Sequence, residues 1–113
     1  MILDFRKAAR RFVDSFPEFA RELEALLLDS REPQLAAQIP ELLITRRCDC
    51  EDDFCATFYT LADRYALSRT NAHCVNLDPQ SGQIVVDVVS DRITGVEVLF
   101  RDDVRGRLRS LFP

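Results

Sequence analysis

The hydrophobic pattern changes its period near residue 42, and this change constrains the fold more than any other feature of the chain. Before that point, apolar residues recur at steps of three and four, the spacing of one face of an amphipathic helix. After it, short runs of β-branched and aromatic residues are separated by turn residues, which is typical of strands. The two helical faces, both expected to be core, consist of Ile2, Phe5, Ala9, Phe12 and Phe16, and of Phe19, Leu23, Leu26 and Leu27.

Capping and proline positions set the expected boundaries of the helices. Ser15 and Glu18 have the spacing of a capping box, and Pro17 fits a first helical turn, so we expect the second helix to begin there. A third, short helix is expected to end at Pro40, because proline cannot continue a helix. The apolar residues of this helix are Leu35, Ala36 and Ile39.

Two hairpins are predicted in the second part of the chain. The runs "LLITRRCDC" and "CATFYTLA" surround a polar tip, Glu51 to Phe54, and predict an antiparallel hairpin over residues 42–62 with Cys50 opposite Cys55. The runs "HCVNLD" and "QIVVDVV" predict a second hairpin, in whose turn Gly82 takes a left-handed conformation. In the following strand, "ITGVEVLF", Gly95 indicates a bulge or a close backbone approach.

The segment "RDDVRGRLRSLF" predicts a helix after the last strand, with acidic residues at its start and arginines further along, which complements the helix dipole. The predicted fold class is therefore α+β: N-terminal helices, an antiparallel sheet of about five strands and a C-terminal helix. The 113 residues are expected to form a single domain, residues 1–113.

Charge and composition exclude several classes of partner. The formal net charge of −4 argues against binding to nucleic acid or to an anionic membrane surface, and a basic protein is the more natural partner. Charged residues interrupt the N-terminal segment "MILDFRKAARRF", so we expect no secretory signal and a cytoplasmic protein. In that compartment thiols are kept reduced, which argues against structural disulfides.

Three of the four cysteines lie within eight positions, in "CDCEDDFC". Since strand side chains alternate, Cys48 and Cys50 share a face, and the predicted pairing brings Cys55 to the same face. Cys74, or less favourably His73, could supply a fourth ligand and complete a tetrahedral Zn²⁺ site. Two other interpretations remain open: thiols that fill the sheet face as small apolar residues, and redox or disulfide chemistry.

Catalytic patterns are sparse. His73 is the single histidine, and the glycines at positions 82, 95 and 106 form no phosphate-binding loop. The adjacent acidic pairs, Asp52 with Asp53 and Asp102 with Asp103, fit a solvated turn and a helix start. We therefore expect no catalytic residues and no enzyme.

The segments "RRCDCEDDFCATFY" and "ITGVEVLFRDDV" resemble small bacterial immunity proteins that carry a Cys-x-Cys-x4-Cys hairpin and belong to contact-dependent growth inhibition and similar toxin systems. The resemblance covers roughly residues 44–104. It implies stoichiometric neutralisation of a secreted toxin domain, expected to be a nuclease, and it brings no catalytic residues. Many proteins of this group carry glycine where this chain has Glu51, so the tip here is more acidic.

An acidic hairpin tip would suit such a partner, because a nuclease must be basic to bind phosphates. The expected toxin-binding residues are Asp49, Glu51, Asp52 and Asp53, which could imitate phosphates before a basic cleft. Two alternatives are a zinc-stabilised domain that binds some other protein and a thiol-based redox protein. They differ from the first hypothesis in metal content and in measurable turnover.

Overall fold

The computed structural model describes residues 9–60, 62 and 71–113 and shows helices combined with an antiparallel sheet. The helices are α1 (Phe12–Ser15), α2 (Pro17–Asp29), α3 (Pro33–Ala36) and α4 (Asp102–Leu111), with a 3-10 turn at Ile39–Glu41. The strands are β1 (Arg10–Arg11), β2 (Leu43–Arg47), β3 (Phe58–Thr60), β4 (Ala72–Leu77), β5 (Gln83–Val89) and β6 (Arg92–Leu99).

The six strands lie in the order β1-β2-β3-β6-β5-β4, and every neighbouring pair is antiparallel. This confirms the α+β class with N-terminal helices and a C-terminal helix, although the sheet has six strands among the described residues instead of about five. Two antiparallel ribbons, β1-β2-β3 and β5-β4, flank β6. The last strand in the sequence therefore lies inside the sheet.

The N-terminal part of the chain differs from the predicted continuous helix. Arg10 and Arg11 form β1 against β2, and the backbone N–H of Phe12 then donates to the Leu42 carbonyl at 3.0 Å. The backbone groups of these residues pair with the edge strand β2. A short strand followed by the short helix α1 therefore takes the place of the predicted helix. The predicted positions Ile2 and Phe5 lie outside the described residues.

The capping-box prediction was wrong. Helix α2 begins at Pro17, as its first-turn proline indicated, but its N-cap is Phe16, which makes no side-chain capping bond. Ser15 is buried, and its carbonyl oxygen accepts a hydrogen bond from Arg107 Nε at 3.2 Å. Ser15 therefore contacts α4 and does not cap α2.

The core lies between the helices and one face of the sheet. The Phe12 ring lies 5.4 Å from the Phe58 ring of β3, and Phe16 stacks on the same ring at 6.3 Å. Val104 and Leu108 of α4 are buried in the same cluster. Because burial of a large aromatic or aliphatic side chain contributes about 1.5–3 kcal/mol, these contacts dominate the attachment of helices to sheet. None of the described helices is long and apolar enough to cross a membrane.

The second hairpin is confirmed in detail. Strands β4 and β5 pair from Ala72↔Val89 to Leu77↔Ile84, and Gly82 in the turn has φ +74°. A register shift between Asp87 and Val88 of β5 places a bulge beside Gly95. A Cβ atom at Gly95 would lie 3.2 Å from Tyr59 Cδ1, so a close approach accompanies the bulge.

The first hairpin is shorter than predicted. The ladder of β2 and β3 ends at Arg47↔Phe58, with one more backbone bond from the Cys48 N–H to the Thr57 carbonyl at 2.9 Å. The expected pairing of Cys50 with Cys55 was wrong, since Cys55 forms a bridge with Leu99 at the end of β6. The four-residue tip therefore opens into a longer loop.

Candidate functional site

The cysteine loop, residues 48–57, joins β2 to β3 and is attached to the C-terminal helix by one arginine. Arg109 Nη2 on α4 donates to the Asp52 carbonyl at 3.0 Å and to the Cys50 carbonyl at 3.4 Å. A guanidinium bound to two backbone oxygens holds a loop more firmly than a single neutral hydrogen bond. The loop is therefore fixed on the helical side.

On its other side the cysteine loop follows β6. The Ala56 N–H donates to the Val98 carbonyl at 2.8 Å, and the Phe100 N–H donates to the Phe54 carbonyl at 2.8 Å. These bonds continue the register of Phe58↔Val96, so residues 54–57 extend the β3–β6 pairing. The second half of the loop is therefore hydrogen-bonded to the end of β6 and does not pair only with the other half of its own hairpin.

The three clustered cysteines have their sulfur atoms close together. The Sγ atoms of Cys48, Cys50 and Cys55 all lie within 4.8 Å of one another, with Cys55 buried and the other two half-buried. All four cysteines are free thiols. Cys48 and Cys55 lie at positions bonded to neighbouring strand segments, and Cys50 lies in the loop between them.

Hydrogen bonding separates the pKa values of two of these thiols. The Asp52 backbone N–H lowers the pKa of Cys50, but hydrogen bonds with Cys55 and Cys48 and burial outweigh it and raise that pKa to about 11. Burial raises the pKa of Cys55, but the Thr57 hydroxyl and N–H and the two neighbouring thiols lower it below its usual range. Cys55 is the sulfur in this cluster that hydrogen bonding favours as a thiolate.

Cys74 lies apart from this cluster. It is on β4, which β6 and β5 separate from β3, so the sheet spacing alone puts it about 14 Å away. Its sulfur groups with Asp87 and Glu97, and Cys74 Sγ lies 3.2 Å from Asp87 Oδ1. Among the described residues, the group of three clustered cysteines includes no fourth His, Cys, Asp or Glu. The predicted fourth ligand is therefore not at this site.

The acidic residues divide into two sets. Glu51, Asp52 and Asp53 are exposed at the loop tip, where Glu51 Oε2 lies 3.8 Å from Arg109 Nη1. Asp49 is also exposed, but it lines a groove with Arg10, Arg46, Arg47, Leu111, Phe112 and Pro113. The groove arginines offset the charge of Asp49, so the acidic surface of the tip consists of the other three side chains.

Two aromatic side chains beside these acids were not predicted as functional residues. Phe54 and Phe100 stack with ring centroids 5.3 Å apart, yet they are 42% and 59% exposed. Phe100 also has φ +61°, a left-handed conformation that bulky residues rarely adopt. The sequence signal was weak: a phenylalanine within a polar tip, and another between the last strand and the final helix.

The arrangement offers two chemical capabilities. The sulfur cluster can hold a thiophilic ion, and the tip can bind a protein surface with aromatic contacts and negative charge. Comparisons with protein-family models, with curated proteins and with solved structures found no match. The resemblance to immunity proteins therefore rests on the sequence motifs.

Proposed function

We propose that this protein neutralises a basic toxin domain by stoichiometric binding through the tip surface, which we define as Glu51, Asp52, Asp53, Phe54 and Phe100. The observation that carries the proposal is the stacked pair of exposed phenylalanines, one of them in a left-handed backbone conformation, beside three exposed carboxylates. Burial of both rings against a partner would compensate for their exposure and for the strained backbone of Phe100.

The arrangement of Phe54 and Phe100 lowers the stability of the protein when no partner is bound. A left-handed conformation costs a residue other than glycine about 1–2 kcal/mol, and the exposed faces of Phe54 and Phe100 contribute little burial energy. Aromatic residues are enriched in protein interfaces, where a few of them carry most of the binding energy. The two rings are therefore the expected anchors of the complex.

The carboxylates supply attraction at longer range. Complementary charge can raise association rates from about 10⁵–10⁶ to about 10⁸ M⁻¹s⁻¹. A toxin that cleaves nucleic acid presents a basic cleft, and three carboxylates within one turn can occupy positions that phosphates would take. The tip therefore combines steering by charge with anchoring by aromatic rings.

The tip surface is preorganised. Its backbone is bonded to α4 through Arg109 and to the end of β6 through the Phe100 N–H and the Phe54 carbonyl. A loop that is ordered before binding loses less conformational entropy in the complex. This supports tight, slowly dissociating capture, with an affinity of about nanomolar or better, near −12 kcal/mol.

The identity of the partner follows from the resemblance of the motifs to immunity proteins of secreted toxins. We expect the gene immediately upstream to encode a large secreted protein with a variable C-terminal toxin domain. Capture would then take place in the cytoplasm, where an incoming nuclease meets its substrate. The absence of such a gene would contradict the toxin assignment.

The test uses that C-terminal domain as the probe. The tip variant Glu51→Gln/Asp52→Asn/Asp53→Asn is expected to fold normally, to associate about tenfold more slowly at low salt, and to show a flatter salt dependence. A matched control, Glu18→Gln/Asp29→Asn/Glu41→Gln, removes the same charge from exposed positions outside the tip. Association rate is measured against ionic strength, with circular dichroism as the folding check.

The two variants distinguish an effect of the charges at the tip from an effect of the net charge of the whole protein. The tip variant should also protect cells less when the toxin is expressed, whereas the control should protect as well as the wild type. Equal rates for wild type and tip variant would show that the three carboxylates do not steer association and would contradict their part in the proposal. Slower association of the control alone would place the interface on the helical layer instead.

A further inference from the structure

The three sulfurs of the cysteine loop meet the geometric requirement of a metal site almost without rearrangement. With Zn–S bonds of about 2.3 Å in a tetrahedral site, sulfur ligands lie about 3.8 Å apart. The Sγ atoms of Cys48, Cys50 and Cys55 already lie within 4.8 Å of one another. Closing onto an ion therefore requires movements of about 1 Å or less, which side-chain rotation can supply.

Two of the three ligands stand on fixed backbone. Cys48 donates its N–H to the Thr57 carbonyl at 2.9 Å, and Cys55 forms a β-bridge with Leu99. Cys50 lies in the loop between them, where Arg109 holds its carbonyl at 3.4 Å. The site thus has two sulfurs on fixed backbone and one on a loop residue that can adjust to the radius of the ion.

Two guanidinium groups offset part of the charge that three thiolates would bring. Arg47 Nη1 donates to the Cys48 carbonyl at 2.9 Å, and Arg109 donates to the Cys50 carbonyl. Three thiolates around a divalent ion would leave a net charge of about −1 at the site. Cations bonded to the carbonyls of two ligand residues reduce the cost of that charge.

We propose that Cys48, Cys50 and Cys55 form a trithiolate site for a thiophilic d¹⁰ ion, Zn²⁺ or Cu⁺, with one coordination position left open in the case of Zn²⁺. Sulfur ligands select Zn²⁺ and Cu⁺ over Mg²⁺ and Ca²⁺, which prefer oxygen. Cu⁺ can be satisfied by the three sulfurs alone, while Zn²⁺ would take a water or another donor as its fourth ligand. Binding releases the thiol protons to solvent. This inference is independent of the toxin-binding proposal.

The test measures metal stoichiometry and affinity in the fully reduced protein, with Zn²⁺ and Cu⁺ in separate anaerobic titrations against a competing chelator. About one equivalent of one of the two ions should bind, with release of protons and a rise in melting temperature. Cys50→Ser is the principal variant, because Cys50 is only half-buried and its replacement should leave the metal-free fold intact. Its affinity should fall by more than about 100-fold, since even outer-shell changes cost 10–100-fold.

Cys74→Ser provides the matched control, because it removes one thiol at a distance from the cluster and should bind the ion as the wild type does. Substoichiometric binding of both ions to protein whose thiols are shown to be reduced would overturn the proposal. Equal loss of affinity in Cys50→Ser and Cys74→Ser would overturn it as well. Since both variants are compared by circular dichroism without metal, a folding defect cannot imitate either result.

Discussion

Arg101 and Glu22 form a bidentate ion pair that joins the start of α4 to the middle of α2. Arg101 Nη1 and Nη2 each lie 2.8 Å from a Glu22 carboxylate oxygen, and Arg101 Nε lies 3.2 Å from Asp103 Oδ1. The Arg101 side chain is only 10% exposed and that of Glu22 32%. The hydrogen bonds with these two carboxylates raise the pKa of Arg101, so the guanidinium remains charged.

Replacing Arg101 is therefore expected to destabilise the fold. Arg101→Met should lower the free energy of unfolding by about 2 kcal/mol, because Glu22 would remain partly buried without its partner. Urea unfolding measures the loss. The double variant with Glu22→Gln should lose less than the sum of the single variants, and Arg92→Met, at an exposed strand position, should change little. An additive double variant would contradict the coupling.

Two glycines should respond to alanine in opposite directions. Gly82 has φ +74°, and a Cβ atom there would lie 2.6 Å from the Leu99 carbonyl oxygen and 2.7 Å from Arg101 Cγ. Gly82→Ala should therefore destabilise by more than about 1 kcal/mol. Gly106 lies within α4, and a Cβ atom there would meet no atom within 4 Å apart from its own helix backbone and chain neighbours, so Gly106→Ala should stabilise by about 0.5–1 kcal/mol. Thermal unfolding compares the two, and equal signs would contradict the structure.

The left-handed backbone of Phe100 makes a specific prediction about stability and binding. Phe100→Gly should be more stable than Phe100→Ala by about 1 kcal/mol, because only glycine adopts φ +61° without strain. Both variants should weaken capture of the toxin domain, since both remove the ring. Denaturant titrations and dissociation rates measure the two effects. A more stable alanine variant would show that the strain is absent.

The group of Cys74, Asp87 and Glu97 predicts a pH dependence of stability. A hydrogen bond with Asp87, together with burial and the Asp87 charge, raises the pKa of Glu97 above its usual value of 4.5. A raised pKa in the folded state gives stability that is complete below the unfolded pKa and is lost as pH rises through the folded value. The loss therefore begins near pH 4.5 and is complete once the pH exceeds the raised, folded-state pKa of Glu97.

The variant Glu97→Gln should not lose stability in this way, because glutamine does not ionise. The variant should melt at a higher temperature than the wild type at pH 7, and the difference should shrink as the pH falls toward 4. The control is the same substitution in an Asp87→Asn background, where the gain should largely disappear because the repelling partner is neutral. Melting temperatures across this pH range provide the measurement. A gain that persists unchanged at acidic pH would have another cause.

The sequence predicted the elements whose pattern is local. The helical period of α2, the hairpin of β4 and β5 with its left-handed Gly82, and the final helix were all recovered. Strand β1 was missed because Arg10 and Arg11 lie within a stretch whose apolar spacing also suits a helix. Their conformation depends on pairing with β2, more than thirty residues away, which no local pattern reports.

The candidate site shows the same limit. The register predicted for the first hairpin, with residues 51–54 as its tip, also implies that Cys48 lies opposite Thr57, and their backbone hydrogen bond agrees with it. The partner of Cys55, however, is Leu99, more than forty residues later. The exposed rings of Phe54 and Phe100 could not be distinguished from core residues by hydrophobicity alone. Only the fold shows that these two phenylalanines contact each other and solvent instead of the core.

The position of β6 has a consequence for synthesis on the ribosome. Strands β3 and β5 are made earlier, yet their inner edges both pair with β6, which leaves the exit tunnel after the other five described strands. Until residues 92–99 emerge, the nascent chain carries two separate ribbons whose open edges can pair with other chains. Closure of the sheet is therefore delayed until β6 has emerged, and a pause before Arg92 would be the moment of greatest exposure to aggregation.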